Sequence, residues 1–165
     1  MTIIKVSTSV FSTYKTVERA LQKAMRGDEI QLAAGKYKES LTMDKHVRIY
    51  SKEKENTLLE GLFIIPKGAT VTFEQLTIIP TVQIYVEGTA HFKNCTFIGN
   101  ETAVILSINE GTTTLESCFV KNAQNVGIAL LNNSNAQVIN CLFENNGKSH
   151  FLLENSKLEL IASEC

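Results

Sequence analysis

The sequence predicts an all-β fold, a right-handed parallel β-helix (solenoid) with an N-terminal amphipathic capping helix. Three features lead to it: an internal repeat, two short apolar segments in each repeat, and a stretch with helical spacing before the first repeat. A single repeat of this length cannot bury its apolar side alone, so successive repeats are expected to stack as coils.

The repeat is clearest around three cysteines that recur at a constant interval. The segments HFKNCTFIGN (91–100), TLESCFVKNA (114–123) and QVINCLFENN (137–146) align on Cys95, Cys118 and Cys141. Cys165 follows at nearly the same interval and is expected to form a fourth rung. Stacked thiols pack as small apolar groups. Because a straight ladder does not converge on one point, we expect an inert thiol column and no metal site.

A second apolar segment accompanies each cysteine segment. TVQIYVEG (81–88), AVILSIN (103–109), VGIALLN (126–132) and HFLLEN (150–155) correspond, and the last three end in asparagine. Short β-branched segments separated by Asn, Gly, Ser and Thr predict strands and turns. The stacked asparagines are expected to bond one another at the turns.

The N-terminal region follows a different pattern. Apolar residues between Ser12 and Arg26 recur at helical spacing, with Ser12 or Thr13 as the predicted N-cap and Gly27 as the end. A single amphipathic helix before a solenoid is expected to cover the first coil. We therefore divide the chain into a strand and capping helix (1–26) and a β-helix of about six coils (27–165), which form one structural domain. The uncovered last coil predicts that either this domain is the N-terminal part of a longer protein or another chain caps it.

Composition excludes several classes of partner. The 165 residues carry a net charge of −1 and no tryptophan, so neither a nucleic-acid surface nor a base-stacking platform is expected. No apolar run is long enough to span a membrane, and the first residues do not resemble a secretion signal. Four cysteines in such a chain predict reduced thiols and a cytoplasmic location.

The segment 14–51 resembles the opening of the pectin-lyase-like β-helix superfamily. The similarity rests on the capping helix, a Gly-Asp turn at Gly27 and Asp28, a strand at 30–32, and the element Gly35, Tyr37 and Glu39. The Asn-Cys-x-Phe coils resemble repeats of its carbohydrate-binding and sugar-hydrolase members. The opening is also loosely similar to β-helix segments that precede AAA-type ATPase modules in bacterial proteins. The resemblance implies the fold, whereas this fold hosts lyases, hydrolases, esterases and non-enzymes.

The residues that such enzymes use are scarce. The resemblance implies carboxylates and arginines on one outer sheet face, and glycoside hydrolysis needs a carboxylate pair. Only two aspartates (Asp28, Asp44) and three arginines (Arg19, Arg26, Arg48) occur, all before the regular coils. The Asn-Thr-Asp, Gly-His-Gly and Asp-Phe-Ile-Phe-Gly motifs of the family's enzymes do not appear in the sequence. We therefore expect no catalytic residues, no metal and no cofactor.

Strand alternation predicts an apolar outer face. If Ile84, Ile105, Ile128 and Phe151 point inward, their neighbours point outward. The outward residues then include a contiguous apolar patch, formed by Tyr85, Val104, Leu106, Ile108, Ala129, Leu131 and Leu152. His150 is expected at the surface of the same face. Monomeric proteins rarely expose such patches, so we expect a protein partner or, as the alternative, cover by residues 1–11 or by the loop after another strand.

These observations favour a non-catalytic scaffold or docking module that assembles through this face and through an open C-terminal end. The partner is expected to be another protein, a second copy, or a further domain of a longer chain. The alternative is a carbohydrate-active enzyme or polysaccharide-binding domain, and a third interpretation is a fragment of a fibre-like adhesin. Clustered charged residues on the outer face would favour carbohydrate chemistry, whereas apolar columns favour protein contact.

Overall fold

The computed structural model describes every residue of the chain except Glu101. The elements, in chain order, are β1 (Ile3–Val6), α1 (Val17–Lys23), β2 (Glu29–Leu32), β3 (Gly35–Lys38), β4 (Leu41–Thr42), β5 (His46–Ser51), a 3-10 turn (Lys54–Asn56), β6 (Thr57–Ile65), β7 (Thr70–Glu74), β8 (Thr77–Val86), β9 (Thr89–Lys93), β10 (Thr96–Ile98), β11 (Val104–Asn109), β12 (Thr112–Glu116), β13 (Phe119–Lys121), β14 (Val126–Leu131), β15 (Asn135–Ile139), β16 (Leu142–Glu144), β17 (Ser149–Leu153) and β18 (Lys157–Ile161).

The strands wind into a right-handed parallel solenoid, as predicted, and this solenoid has about seven turns. Wall 1 is an eight-stranded sheet in the order β1-β2-β5-β7-β9-β12-β15-β18. The other strands form one ten-stranded sheet that bends into two walls, because β6 and β8 are long enough to contribute to both. Wall 2 contains β3, β10, β13 and β16 with the first halves of β6 and β8. Wall 3 contains β4, β11, β14 and β17 with the second halves.

The core consists of inward side chains stacked on their equivalents in the next turn. One column of wall 1 runs through Ile49, Phe73, Phe92 and Leu115, all fully buried. The rings of Phe73 and Phe92 stack with centroids 4.9 Å apart. Along the strands of wall 1 buried and less buried positions alternate, so the residues between the core positions form an outer face.

The cysteine ladder is confirmed for three rungs and wrong for the fourth. Cys95, Cys118 and Cys141 are buried one above another, and the Cys118 amide donates to the Cys141 sulfur at 3.4 Å. The Cys141 amide makes the equivalent bond to the Ser163 hydroxyl at 3.1 Å. Ser163 is therefore the fourth rung, while Cys165 is exposed. The last turn is shorter by one residue than the interval between the cysteines, so Cys165 lies beyond the ladder.

The polar turns stack as the repeat predicts. Asn94, Ser117 and Asn140, each preceding a cysteine, adopt left-handed backbone angles with φ of 50°, 53° and 51°. Asparagine tolerates this conformation better than most residues. The Asn132 amide donates to the Asn109 side chain at 2.6 Å, a bond between asparagines of successive turns, although Asn109 itself pairs with Leu131 in the sheet.

The capping helix is present but shorter than predicted. It begins after Thr16, whose hydroxyl accepts from the Arg19 amide, so neither Ser12 nor Thr13 is the N-cap. It ends at Lys23, before Gly27. Its buried residues Val17, Ala20 and Leu21 cover the first turn of the solenoid. Residues 12–15 do not continue the helix because they turn back to pair Tyr14 with β1.

Candidate binding faces

The register of wall 3 corrects the predicted apolar patch. Ile84 pairs with Leu106, and Leu106 pairs with Ile128. Leu106 and Ile108 are accordingly 1% and 0% exposed and belong to the core. The prediction that they point outward was wrong, because the coils that join these paired residues are shorter by one residue than the interval between the cysteines. A shift of one position moves a side chain to the opposite face of a strand.

The other predicted patch residues occupy the outside or edges of wall 3. The central outer column is Ile64, Tyr85, Ser107, Ala129 and Leu152, which contains no charge. Within it, Ser107 and Ala129 are small and nearly buried, while Leu152 is 49% exposed. Val104 and Leu131 are half-buried. The central column is therefore uncharged, but less apolar than predicted.

The N-terminal segment does not cover wall 3. Ile3–Val6 form β1 and pair with β2 at the edge of wall 1. Val10 and Phe11 are 75% and 95% exposed. The alternative that residues 1–11 fold over the patch is therefore wrong.

Wall 1 has a polar outer face that the sequence analysis missed. Two adjacent outer columns run along it in register from β5 to β18. Between the end residues of these columns on β5 and β18 lies a set that we call the polar strip, formed by Thr70, Thr72, Thr89, His91, Thr112, Thr114, Asn135 and Gln137. The signal was present as Thr-x-Thr, Thr-x-His, Thr-x-Thr and Asn-x-Gln, once in each of four consecutive strands of this wall.

The threonines of the strip offer free hydroxyl groups. Four of the five are half-buried and Thr112 is exposed. Among the residues that the structure describes, none of these five hydroxyls hydrogen-bonds another protein group. Threonine has a restricted χ1 angle, and parallel strands lie about 4.8 Å apart. The hydroxyls therefore form a regular, stiff array.

Two shallow depressions lie along this face. One, of about 310 Å³, is lined by residues that include His46, Arg48, Thr70 and Thr72. The other, of about 660 Å³, is lined near the last turns by the residues 112–114, 135–137 and 157–159 together with Leu153 and Ser156. Thr89 and His91 lie between them in the register of the sheet.

Charges flank the strip and largely compensate one another. Arg48 bridges Glu29 and Glu74 on the neighbouring strands, with a nitrogen 2.7 Å from the Glu74 carboxylate. Its guanidinium carbon lies 4.0 Å above the centre of the Tyr50 ring. Partial burial opposes the charged form of Arg48, but the two carboxylates outweigh it and raise its pKa. Burial, and secondarily Lys93, lower the pKa of His91, so this imidazole is neutral at pH 7.

A comparison with protein families identifies the family to which this β-helix belongs. A family description, the right handed beta helix region, matches residues 54–165, more than half of the chain. The chain belongs to the right-handed β-helix family. The comparison with curated proteins finds no match for it.

Solved structures agree on the fold of this β-helix. The deglycosylated pectin methylesterase from Aspergillus niger is 12% identical, with a TM-score of 0.50; the match covers 98% of this chain and 85% of that one. A second structure of that enzyme, carrying an N-acetylglucosamine stub, is also 12% identical, with a TM-score of 0.48 and coverages of 99% and 85%. The fold is thus related to that of carbohydrate-active enzymes.

The residues behind the superfamily resemblance have structural contacts in this β-helix. The Tyr37 hydroxyl donates to the Ala33 carbonyl at 2.8 Å. The Glu39 carboxylate accepts from the first two amides of α1. The Asp28 carboxylate accepts from the Thr2 and Met25 amides, which lowers its pKa. Each of these side chains therefore closes the N-terminal end of the solenoid.

His150 is half-buried, not the plain surface residue expected. Its Nδ1 lies 3.0 Å from the amide nitrogen of Asn146. Asn146 in turn accepts from the Ala123 amide, which fixes the orientation of its side chain. In the described part of the chain, no group of three or more His, Cys, Asp or Glu side chains could hold a metal ion. No helix of the described chain is long and apolar enough to cross a membrane.

Proposed function

We propose that this β-helix is a non-catalytic module that binds an extended carbohydrate polymer along the polar strip of wall 1. The observation behind the proposal is the array of five threonine hydroxyls that are in register and have no protein partner among the described residues. A regular polymer repeats its hydroxyl groups along its length, and a solenoid repeats its side chains along its axis. The two repeats can therefore match over several units.

Rigidity supports this proposal. Each hydroxyl projects from a strand that is paired on both sides, and β-branched side chains lose little freedom on binding. A preorganised site loses less conformational entropy when its ligand binds. The strip spans four adjacent strands, and its two columns continue onto β5 and β18.

The carboxylates beside the strip support binding without turnover. Glycoside hydrolysis requires one carboxyl group as an acid and a second as a base or nucleophile. Glu29 and Glu74 are both paired to Arg48. Both carboxylates are therefore engaged by one guanidinium.

Binding to an array of polysaccharide fragments tests the proposal, with affinities measured by calorimetry. The double variant Thr89→Val and Thr112→Val removes two hydroxyls and retains β-branched side chains of similar volume. We expect it to weaken binding about tenfold or more, since each lost hydrogen bond contributes about 1 kcal/mol.

Thr96→Val is the matched control, because Thr96 occupies an outer position of wall 2 and makes no side-chain hydrogen bond with the described residues. We expect this variant to bind like the unmodified protein. Failure of every polysaccharide to bind, or equal affinities for the double variant and the control, would contradict the proposal.

A second candidate function is assembly through wall 3 with a second copy of the chain. It is favoured by the uncharged outer column with its exposed Leu152. Exposed apolar groups of this kind favour protein contact.

Sedimentation tests this candidate. Leu152→Glu should convert an oligomer to a monomer, while the control Leu142→Glu, which changes a 39% exposed leucine of wall 2, should leave it intact. A monomer at all concentrations in the unmodified protein excludes self-assembly.

A further inference from the structure

We infer that the ligand of the polar strip is an uncharged glycan rather than an acidic one. This inference rests on the proposed function and names the chemical class of its ligand. It follows from the distribution of charge across the outer face of wall 1 and from the hydrogen-bonding capacity of the strip.

The strip itself has no formal charge at neutral pH. Its eight side chains are five threonines, one asparagine, one glutamine and His91. Burial keeps His91 neutral by lowering its pKa. A polyanion that lay on this strip would give up water around its carboxylates without meeting a cation there, and unpaired desolvated charge is costly.

The surroundings of the strip would not attract a polyanion either. The outer positions of wall 1 from β2 onwards hold three permanent cations, Arg48, Lys93 and Lys157. They also hold four carboxylates, Glu29, Glu74, Glu116 and Glu159. Among these cations, Arg48 already forms ion pairs with two of the carboxylates, Glu29 and Glu74. Recognition of a polyanion requires a field of the opposite sign, which this face does not provide.

Besides the absence of charge, the hydrogen-bonding capacity of the threonine hydroxyls favours a neutral sugar. A threonine hydroxyl donates one hydrogen bond and accepts up to two, as a sugar hydroxyl does. Ammonium and guanidinium groups only donate, which suits carboxylates. The Gln137 amide, which donates to Glu159 at 2.8 Å, keeps its oxygen free to accept from a sugar hydroxyl.

The test compares neutral oligosaccharides (glucan, xylan and mannan fragments) with oligogalacturonate and oligoalginate of equal length. Calorimetry at about 0.01 M and about 1 M salt separates electrostatic from neutral binding, because the Debye length falls from about 30 Å to about 3 Å. We expect at least one neutral series to bind with an affinity that changes less than about twofold over this range.

The threonine variants locate the binding. The Thr89→Val and Thr112→Val pair should weaken neutral binding about tenfold or more. The pair Thr89→Ser and Thr112→Ser retains the hydroxyls and should restore it, which separates hydroxyl loss from a folding defect.

Three results would overturn the inference. Acidic oligomers that bind through the same threonines and are weakened by salt would overturn the ligand class but leave the proposed function intact. Equal binding of acidic and neutral series would also overturn the ligand class. Failure of both series to bind would overturn the inference together with the proposed function.

Discussion

At the scale of single residues, burial separates side chains of the same chemistry. Leu106 and Leu152 both lie in strands of wall 3, yet one is 1% and the other 49% exposed. Leu106 pairs with the buried Ile84 of the preceding turn, so it enters the core. The neighbouring position, Ser107, takes the outward place beside Tyr85.

Truncation of these two leucines should therefore have unequal effects. We expect Leu106→Ala to lower the free energy of unfolding by about 2 to 5 kcal/mol, because it removes buried methyl groups and leaves a cavity. Leu152→Ala should cost less than about 1 kcal/mol. Urea unfolding followed by circular dichroism measures both values, and equal losses would show that the register of wall 3 is different.

The four thiols should also differ in reactivity. Burial raises the pKa of Cys118; a hydrogen bond with Cys118, followed by burial, raises that of Cys141. Only Cys165 is exposed. We propose that all four stay reduced, as in the cytoplasm. Thiol titration should count one rapidly reacting group in the native protein and four after unfolding. Fewer than four after unfolding without reductant would indicate a disulfide.

At the scale of elements, the capping helix depends on contacts from outside itself. Seven residues are too few for a helix that is stable alone. The Glu39 carboxylate accepts from the Val17 and Glu18 amides at 2.8 and 2.9 Å. At the other end, the Lys45 ammonium donates to the carbonyls of Leu21 and Ala24. The early coils therefore cap both ends of α1.

Removal of the distant N-terminal cap should destabilise the protein. We expect Glu39→Ala to lower the free energy of unfolding by about 0.5 to 2 kcal/mol, the range for loss of a capping side chain. Glu55→Ala is the control, since the side chain of Glu55 is 84% exposed and its carboxylate lies as far as 3.9 Å from the Lys54 ammonium. Urea unfolding measures the free energy of unfolding of both variants. Equal values would show that the Glu39 carboxylate does not stabilise α1.

At the scale of the whole molecule, each coil contacts mainly its neighbours, so closure of the N-terminal end affects the entire stack. Asp28 joins two segments there by accepting from the Thr2 amide at 2.8 Å and the Met25 amide at 2.8 Å. One carboxylate, directly before β2, thus connects the start of the chain with the segment that follows α1.

This closure should depend on pH. The two amide hydrogen bonds lower the pKa of Asp28 in the folded state below its ordinary value of 3.8. The contribution of Asp28 is therefore fully present above the unfolded pKa and is lost as the pH falls through the folded pKa. Melting temperatures between pH 7 and pH 2 should show a smaller fall for Asp28→Asn, which should also be less stable at pH 7. Parallel pH profiles for the two proteins would contradict this role.

The fold was predictable because residues at equivalent positions of stacked coils share the same surroundings, so the same residue types recur along the sequence. Three of the four cysteine rungs, the Asn109–Asn132 contact and the helix before the first coil were all predicted. Each depends on a residue type that recurs at a nearly constant interval. Buried and turn positions constrain residue type most strongly, so they preserve such a signal.

The candidate sites depended on register, which only the tertiary structure decided. The sequence alone determined the fold class, the strand content and the polar pattern Thr-x-Thr. It did not determine which apolar residues of wall 3 face inward. The coils between Ile84 and Ile128, and the last coil before Ser163, are each shorter by one residue than the interval between the cysteines. A strand alternates sides at every residue, so one residue gained or lost in a turn exchanges core for surface. Leu106, Ile108 and Cys165 were misplaced for this reason.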